Sequence, residues 1–229
     1  MAEVVEDISP HKEAQELMNR LQRSRSIFEV DVHAQPSFKT FSDSLLSTVA
    51  RNVRILLLSG HGQSHCGFFW LKDKVSEEYE EIEPDRFVKL FPPVAAGAGR
   101  GGTIECVVLN ACETEDIGKK LRKAGVPHVV CWRSEVDDTT ATNFAVDFFT
   151  ALDQSDVTKD MDYKHAFDQA VARMGSGGGA ARAPMKHLAV GAVDYVCLLS
   201  QDGDEFPDTG YIRGEGDDEE SRSVNNDKG

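Results

Sequence analysis

The apolar residues of this chain fall into short continuous runs, separated by longer segments with helical spacing. The runs at 53–58 and 106–109 have the length and aliphatic composition of strands buried inside a parallel sheet. A further strand is predicted at 128–132, after Pro127, and a last one over 187–199. Between the runs, apolar residues recur every three or four positions, which predicts amphipathic helices. These helices lie after Ser9-Pro10, after Pro36, and over 114–124, 139–152 and 163–174.

Strands that alternate with helices of this length predict an α/β fold. We expect a three-layer sandwich, with a mostly parallel central sheet and helices on both faces. Three smaller elements complete the prediction. Phe28, Val30 and Val32 alternate as in a short strand, 67–71 is a second short strand, and 84–91 is a short helix.

Composition and charge narrow the class of protein. With 229 residues the chain can form one α/β domain with a full core. Its formal net charge of −14 argues against a nucleic-acid binder, because no basic excess is present to displace phosphate counterions. Half of that charge, −7 from ten acidic and three basic residues, lies in 201–229, a segment poor in apolar residues. We therefore expect a folded domain over 1–200 and an acidic, disordered tail over 201–229.

The absence of targeting signals and the cysteine usage predict a soluble, cytoplasmic protein with no membrane contact. No apolar segment approaches the length of a membrane span, and the first residues lack the basic and apolar regions of a signal peptide. The five cysteines are odd in number, and Cys106, Cys131 and Cys197 lie within apolar runs, where a thiol behaves as a small hydrophobe. This usage is typical of a reducing compartment and not of a disulfide framework.

A histidine and a cysteine closely follow two of the predicted strands. His61 comes after the run at 53–58 and Cys112 after the run at 106–109. Because sites in open α/β sheets gather at the carboxyl ends of the strands, we expect the two side chains to meet there. A free thiol has a pKa near ~8.5 and needs a neighbouring base to act as a nucleophile at neutral pH. The alternative is that Cys112 is a small core thiol and His61 an ordinary loop residue.

The glycines beside His61 favour the catalytic interpretation. Gly60 and Gly62 allow an unusual backbone turn and the close approach of a substrate. The backbone N–H groups of Gly62 and Cys112 are candidates for an oxyanion hole, which would stabilise the negative charge that develops during acyl transfer.

Two motifs around these residues resemble a known family. Ser59-Gly60-His61-Gly62 and the segment 107–114 (VVLNACET) resemble the two signature motifs of the CHAT domain. That group is similar to separases and is placed in the caspase clan of cysteine peptidases. The segment 124–132 resembles the family's next strand, and the likeness covers about residues 10–200. The histidine precedes the cysteine by 51 positions, similar to the ~50 of caspases.

The resemblance implies that the three-layer sandwich is caspase-like and that the protein is a cysteine endopeptidase that cleaves polypeptide substrates. His61 would be the general base and Cys112 the nucleophile that forms an acyl-enzyme intermediate. No cofactor and no metal are implied, and activation by a regulatory protein in trans is left open. Members with the fold and little activity are also expected, so the alternative is a catalytically silent module that acts as a protein-interaction scaffold.

The loop after Trp132 is predicted to border the substrate pocket. Its candidate residues are Trp132, Glu135, Asp137 and Asp138, and the three acids could accept a basic P1 side chain, as in the separase-like relatives. The same acids can also be interpreted as a helix-capping run, because carboxylates are favoured at a helix N-terminus. The pattern leaves both interpretations open.

Two other chemistries are disfavoured by the local pattern. His61, His65 and Cys66 suggest zinc, but neighbouring glycines break the helix that would bring both histidines onto one face. The glycine-rich segment 95–102 lacks the Gly-Lys-Ser/Thr ending of a phosphate-binding loop and leads into a strand. A nucleotide-binding domain is therefore disfavoured as well.

Overall fold

A computed structural model describes residues 10–23, 28–33, 36–49, 53–63, 67–71, 79–91, 104–154, 161–175 and 196–200 of the chain. The helices in these ranges are α1 (Pro10–Arg23), α2 (Phe38–Val49), α3 (Pro84–Val88), α4 (Glu115–Lys123), α5 (Asp138–Asp153) and α6 (Tyr163–Gly175). The strands are β1 (Ile55–Ser59), β2 (Gly62–Gln63), β3 (Gly67–Leu71), β4 (Tyr79–Ile82), β5 (Cys106–Asn110), β6 (His128–Trp132) and β7 (Val196–Ser200). None of these helices is long and apolar enough to cross a membrane.

Four strands form the central sheet in the order β1-β5-β6-β7. Strands β1, β5 and β6 are parallel, and β7 runs antiparallel to β6. Strand β5 lies between two neighbours and is buried along its whole length, which explains why its sequence, CVVLN, is almost entirely apolar. The predicted α/β fold with a mostly parallel central sheet is confirmed.

Helices cover both faces of this sheet. Because successive side chains of a strand point to opposite faces, Val108 and Val130 pack in one cluster with α1, α5 and α6. Val107 and Val129 pack in a second cluster with α2, α3 and α4. Two apolar cores therefore lie on either side of one sheet, as the predicted three-layer sandwich requires.

A second, smaller sheet is antiparallel and has the strand order β2-β3-β4. Of these strands the sequence predicts only β3, because β2 has two residues and β4 carries two glutamates. Trp70 of β3 packs against Phe41 of α2, with ring centroids 4.7 Å apart. This contact joins the small sheet to the α2 side of the domain, and β2 begins directly after His61.

The predicted strand around Phe28 is wrong. Residues 28–33 form no strand, and Phe28 packs edge-on against Phe149 of α5, with ring centroids 6.2 Å apart and an interplanar angle of 81°. Phe28 and Val30 therefore pack against the apolar core that contains α5, whereas Val32 is exposed. Of the last predicted strand, 187–199, residues 196–199 lie in β7 (Val196–Ser200), whereas 187–195 and the predicted tail, 201–229, lie outside the described residues.

Candidate active site

The segments after β1 and β5 lie side by side at the carboxyl ends of the strands of the central sheet. This end of the sheet is called the carboxyl edge below. The two strands pair in parallel register up to their last residues, Ser59 and Asn110. One more hydrogen bond continues the pairing, in which the N–H of Gly60 donates to the carbonyl oxygen of Asn110 over 3.4 Å. His61 and Cys112 each follow a paired end by two residues, so the topology brings both to the same edge.

Gly62 packs directly on the backbone of the turn that carries Cys112. A Cβ atom placed on Gly62 would overlap the carbonyl oxygen of Cys112 and lie 3.2 Å from Cβ of Ala111. No side chain fits there without a shift of backbone atoms, so this contact requires glycine. The corresponding position on Gly60 has nothing within 4 Å, and packing does not explain that glycine.

A buried threonine holds the turn in place. The hydroxyl oxygen of Thr114 lies 3.1 Å from the carbonyl oxygen of Ala111 and 3.3 Å from that of Leu109. It also accepts a hydrogen bond from the backbone N–H of Trp132 over 3.1 Å. Although Thr114 occupies the N-cap position of α4, its side chain makes no capping bond. It ties the turn after β5 to the neighbouring strand β6 instead.

The residue after the cysteine has an unusual backbone conformation. Glu113 has a φ of 52°, in the left-handed region that residues other than glycine rarely adopt. Its N–H donates to the carbonyl oxygen of Ser134 over 3.1 Å, which fixes the turn to the loop after β6. Such conformations persist only where surrounding contacts maintain them, and they cluster at functional sites.

Trp132 supports the same turn from within the core. Its indole N–H donates to the side-chain oxygen of Asn110 over 3.1 Å, and both side chains are buried. The ring packs edge-on against Phe144 of α5, with centroids 5.7 Å apart. Trp132 is 1% exposed, so its observed role is structural, and its place in a substrate pocket stays a prediction.

The Cys112 thiol is half-buried and hydrogen-bonds to the backbone of Val136. It donates to the Val136 carbonyl oxygen over 3.6 Å and accepts the Val136 N–H over 3.4 Å. His61 is exposed, and across the ranges described above no hydrogen bond joins it to this thiol. The two residues therefore share one edge of the sheet without a direct hydrogen bond.

The surroundings of Cys112 favour its protonated form. Burial raises the pKa of the thiol above its ordinary value, and the hydrogen bond from the Val136 N–H lowers it in part. The negative charges of Glu135, Glu113 and Asp138 raise this pKa further. At neutral pH the resting side chain is therefore a thiol, and a change in its surroundings is needed to form the thiolate.

The three predicted pocket acids have different roles. Asp137 is the N-cap of α5, and its carboxylate accepts hydrogen bonds from the N–H of Thr140 over 2.9 Å and from its hydroxyl over 2.5 Å. Helix capping, one of the two interpretations left open by the sequence, is thus the observed role of Asp137. Glu135 is exposed and Asp138 begins α5, and both influence the pKa of Cys112.

Two residues of this edge are not among those predicted from the sequence as site residues. In the sequence Glu113 flanks Cys112, where it can shape the turn, and the structure adds that its negative charge raises the pKa of the thiol. Thr114 carries no comparable signal. In the sequence it begins a helix, and only the folded chain shows its hydroxyl between two strands.

Metal binding finds no support in the described residues. In these ranges no group of three or more histidine, cysteine, aspartate or glutamate side chains could hold a metal ion. Of the residues that suggested zinc, only His61 is described, since His65 and Cys66 fall between the described ranges.

The fold and this edge together define a class of protein. A mostly parallel sheet between helical layers, with a histidine and a cysteine after adjacent strands, is the arrangement expected of a caspase-like fold. The profile of the CHAT domain family matches residues 8–183, which is most of the chain. The chain therefore belongs to the CHAT domain family, which is related to cysteine peptidases. A comparison with curated proteins finds no match.

Proposed function

We propose that this protein is a cysteine endopeptidase that cleaves polypeptide substrates through Cys112 and His61. The observation that carries the proposal is the packing of Gly62 on the Cys112 carbonyl oxygen, which puts the segment after His61 against the turn of the cysteine. Membership in a family related to cysteine peptidases supports the same assignment. Family membership alone does not decide activity, because one fold can host active and inactive members.

The proposed reaction begins with a proton transfer. The imidazole of His61 takes the thiol proton of Cys112, and the thiolate attacks the carbonyl carbon of the scissile peptide bond. The backbone N–H groups of Gly62 and Cys112 stabilise the oxyanion that forms. His61 then protonates the leaving amine, and water, activated by the same imidazole, hydrolyses the acyl-enzyme. Hydrolysis releases a carboxylate product and restores the thiol.

The resting thiol must give up its bond to the Val136 carbonyl for this reaction. That bond and the raised pKa of Cys112 both favour the protonated state. Proton transfer requires His61 within hydrogen-bonding reach of Sγ. We propose that bound substrate, or a regulatory protein in trans, brings the imidazole and the thiol together. The Val136 N–H can keep its bond, since it stabilises the thiolate.

The acidic surroundings of Cys112 fit a substrate with lysine or arginine at P1. Glu135, Glu113 and Asp138 each raise the pKa of the thiol through their negative charge. A positive P1 side chain bound beside them would offset that charge and lower the pKa, because an opposite charge reverses the effect. The substrate itself would then favour the thiolate, and cleavage after lysine or arginine should exceed cleavage after leucine.

A peptide library varied at P1 tests this preference. Glu135→Gln should lower the ratio of kcat/KM for a lysine substrate to that for a leucine substrate by about 2- to 5-fold, as expected for one exposed charge pair. Asp137→Ser is the matched control, because serine keeps a helix cap while the charge is lost, and the ratio should stay unchanged. Cleavage only after apolar residues would reject the basic preference and leave the peptidase proposal standing.

Active-site labelling tests the mechanism itself. A peptide acyloxymethyl-ketone probe should modify Cys112, and His61→Ala should slow the labelling by roughly 100-fold or more. Cys106→Ala is the control, because this buried thiol lies on β5, the strand that precedes Cys112, and its loss should not affect labelling. Cys112 labelling that does not depend on His61, or peptidase activity that survives in Cys112→Ala, would reject the proposed pair.

A catalytically silent interaction module is the second candidate function. The observation in its favour is the Cys112 thiol, which is bonded to Val136 and has a raised pKa. Such a module should show no labelling at Cys112 even with a peptide substrate present, and Cys112→Ala should leave the affinity for a protein partner unchanged. Labelling that depends on His61 would exclude this candidate.

A further inference from the structure

A pair of cysteines lies on the central sheet, separate from the proposed catalytic thiol. Cys131 and Cys197 are directly opposite each other in the antiparallel pairing of β6 and β7. Their Sγ atoms are 3.2 Å apart, and both residues are fully buried. The Cys197 thiol also lies 3.6 Å from the carbonyl oxygen of Cys131. The two sulfurs are therefore neighbours on one face of the sheet.

The backbone at this pair has a geometry that permits a disulfide. Opposite residues of an antiparallel pair have Cα atoms about 4.5 or about 5.5 Å apart, depending on the hydrogen-bonding position. Both values fall inside the range of about 4.4 to 6.8 Å seen across disulfides. Closing the bond requires the sulfurs to approach by roughly 1 Å, which side-chain rotation can supply.

Helix α4 leaves room for the Cys131 sulfur. Gly118 faces it, and a Cβ atom on Gly118 would lie 2.8 Å from Cys131 Sγ and 3.2 Å from Cδ1 of Leu199. Cys106 offers a contrast, since it is an equally buried thiol on β5 whose side chain packs in the core on the other face of the sheet. The neighbouring sulfur thus distinguishes the pair from an ordinary core cysteine.

We propose that Cys131 and Cys197 form a reversible disulfide that fastens β7 to β6. A thiolate of the pair attacks one sulfur of a small disulfide, such as oxidised glutathione, and displaces one glutathione thiolate. The second cysteine then attacks the mixed disulfide at the protein sulfur and displaces the other glutathione. The pair loses two electrons and two protons, and the small disulfide is reduced to two thiols.

Burial sets the conditions under which the bond forms. Hydrogen bonding to Cys197 and burial raise the pKa of Cys131, so little thiolate is present in the closed fold. Exchange therefore takes place while the chain folds, or when β7 separates from β6. Once formed, the bond is shielded from reductants by the same burial.

The bond would stabilise the folded state by restricting the unfolded chain. It joins residues 66 positions apart, and the loss of unfolded-state entropy grows with the length of the closed loop. For a chain of this size the expected rise in Tm is roughly 5 to 10 °C.

Refolding in a glutathione redox buffer tests the proposal without any measurement of activity. After refolding with excess oxidised glutathione, a peptide map should link Cys131 to Cys197, and the linked peptides should together weigh about 2 Da less than the two free peptides. Cys106→Ala should keep both the link and the rise in Tm, whereas Cys197→Ala should lose both. Dithiothreitol added under mildly denaturing conditions should restore the thiols and the lower Tm.

Three outcomes would overturn the proposal. Both cysteines could remain open to alkylation after oxidative refolding, they could pair with Cys66, Cys106 or Cys112 without preference, or the link could form without a rise in Tm. Because the map is read on the wild-type chain, a folding defect in a variant cannot produce any of these results. None of them bears on the proposed peptidase.

Discussion

At the scale of single residues, the Thr114 hydroxyl joins the turn of the cysteine to the next strand. Thr114→Val keeps the shape of the side chain but leaves the Trp132 N–H without its acceptor inside the protein. We expect the free energy of unfolding to fall by about 1–3 kcal/mol, measured by urea denaturation. Labelling of Cys112 should also slow in the folded protein. Thr114→Ser should restore both properties, and wild-type labelling in Thr114→Val would refute a positioning role.

The charge around Cys112 leads to a pH dependence that can be measured. Because the pKa of this thiol is raised, its alkylation by iodoacetamide should reach half its maximal rate above the ordinary range near ~8.5. Removing a negative charge favours the thiolate, so Glu135→Gln should move the midpoint to lower pH and speed alkylation at pH ~7. Glu81→Gln, an exposed residue on β4, is a control expected to leave the midpoint in place. A midpoint below the ordinary range would contradict the structure's account of the resting thiol.

At the scale of secondary structure elements, helix α4 approaches the sheet closely because Gly118 has no side chain. Alanine in a helix is favoured over glycine by about 1 kcal/mol, so helix propensity alone predicts that Gly118→Ala stabilises the protein. The added Cβ would lie 2.8 Å from Cys131 Sγ, however, and overpacking of a core typically costs about 1–3 kcal/mol. We expect net destabilisation by thermal unfolding. The double variant Gly118→Ala, Cys131→Ala should recover part of the loss, and a stabilised single variant would show that α4 moves away freely.

The helices and central strands could be predicted from the spacing of their apolar residues. The positions that are buried must be apolar, and burial of these residues also stabilises the elements. Strand β6 was predicted over the residues it occupies, since a run buried on both faces must be apolar throughout. Strands β2 and β4 could not be predicted in this way. Both strands are short. Strand β4 buries only part of one face, and its two glutamates interrupt the alternation of apolar and polar residues that predicts a strand. Around Phe28 the apolar residues alternate without a strand, because Phe28 packs against a helix and Val32 is exposed.

At the scale of the whole molecule, the two edges of the central sheet differ in chemistry. At the amino edge, Arg54 forms a bidentate ion pair with Glu105, with N–O distances of 3.0 and 2.7 Å. The Tyr163 hydroxyl donates to the same carboxylate over 3.0 Å, which connects this edge to α6. The histidine and the cysteine lie at the opposite edge. An ion pair thus lies at one end of the sheet, and the proposed catalytic pair lies at the other.

This division predicts that changes at the amino edge affect stability and leave the labelling of Cys112 unchanged. Arg54→Gln should lower the free energy of unfolding by about 1 kcal/mol, because both partners are partly exposed and solvent screens the pair. Labelling of Cys112 in the folded protein should stay at the wild-type rate. Lys164→Gln, which breaks an exposed pair within α6, should cost less than about 0.5 kcal/mol. A slower labelling in Arg54→Gln would indicate coupling between the two edges.

Local sequence was enough to establish the class of fold, the order of its central elements and the two loops that carry His61 and Cys112. Periodicity and strand ends are local properties, and the rule that sites gather at carboxyl strand ends needs no coordinates. The contacts of these residues required the tertiary structure. The packing of Gly62 on the cysteine turn, the Thr114 bridge, the capping role of Asp137 and the opposed thiols of Cys131 and Cys197 became visible only there. Apart from the local cap, each of these contacts joins residues that are distant in the chain. The residue pattern of one segment does not specify which distant residues that segment will contact.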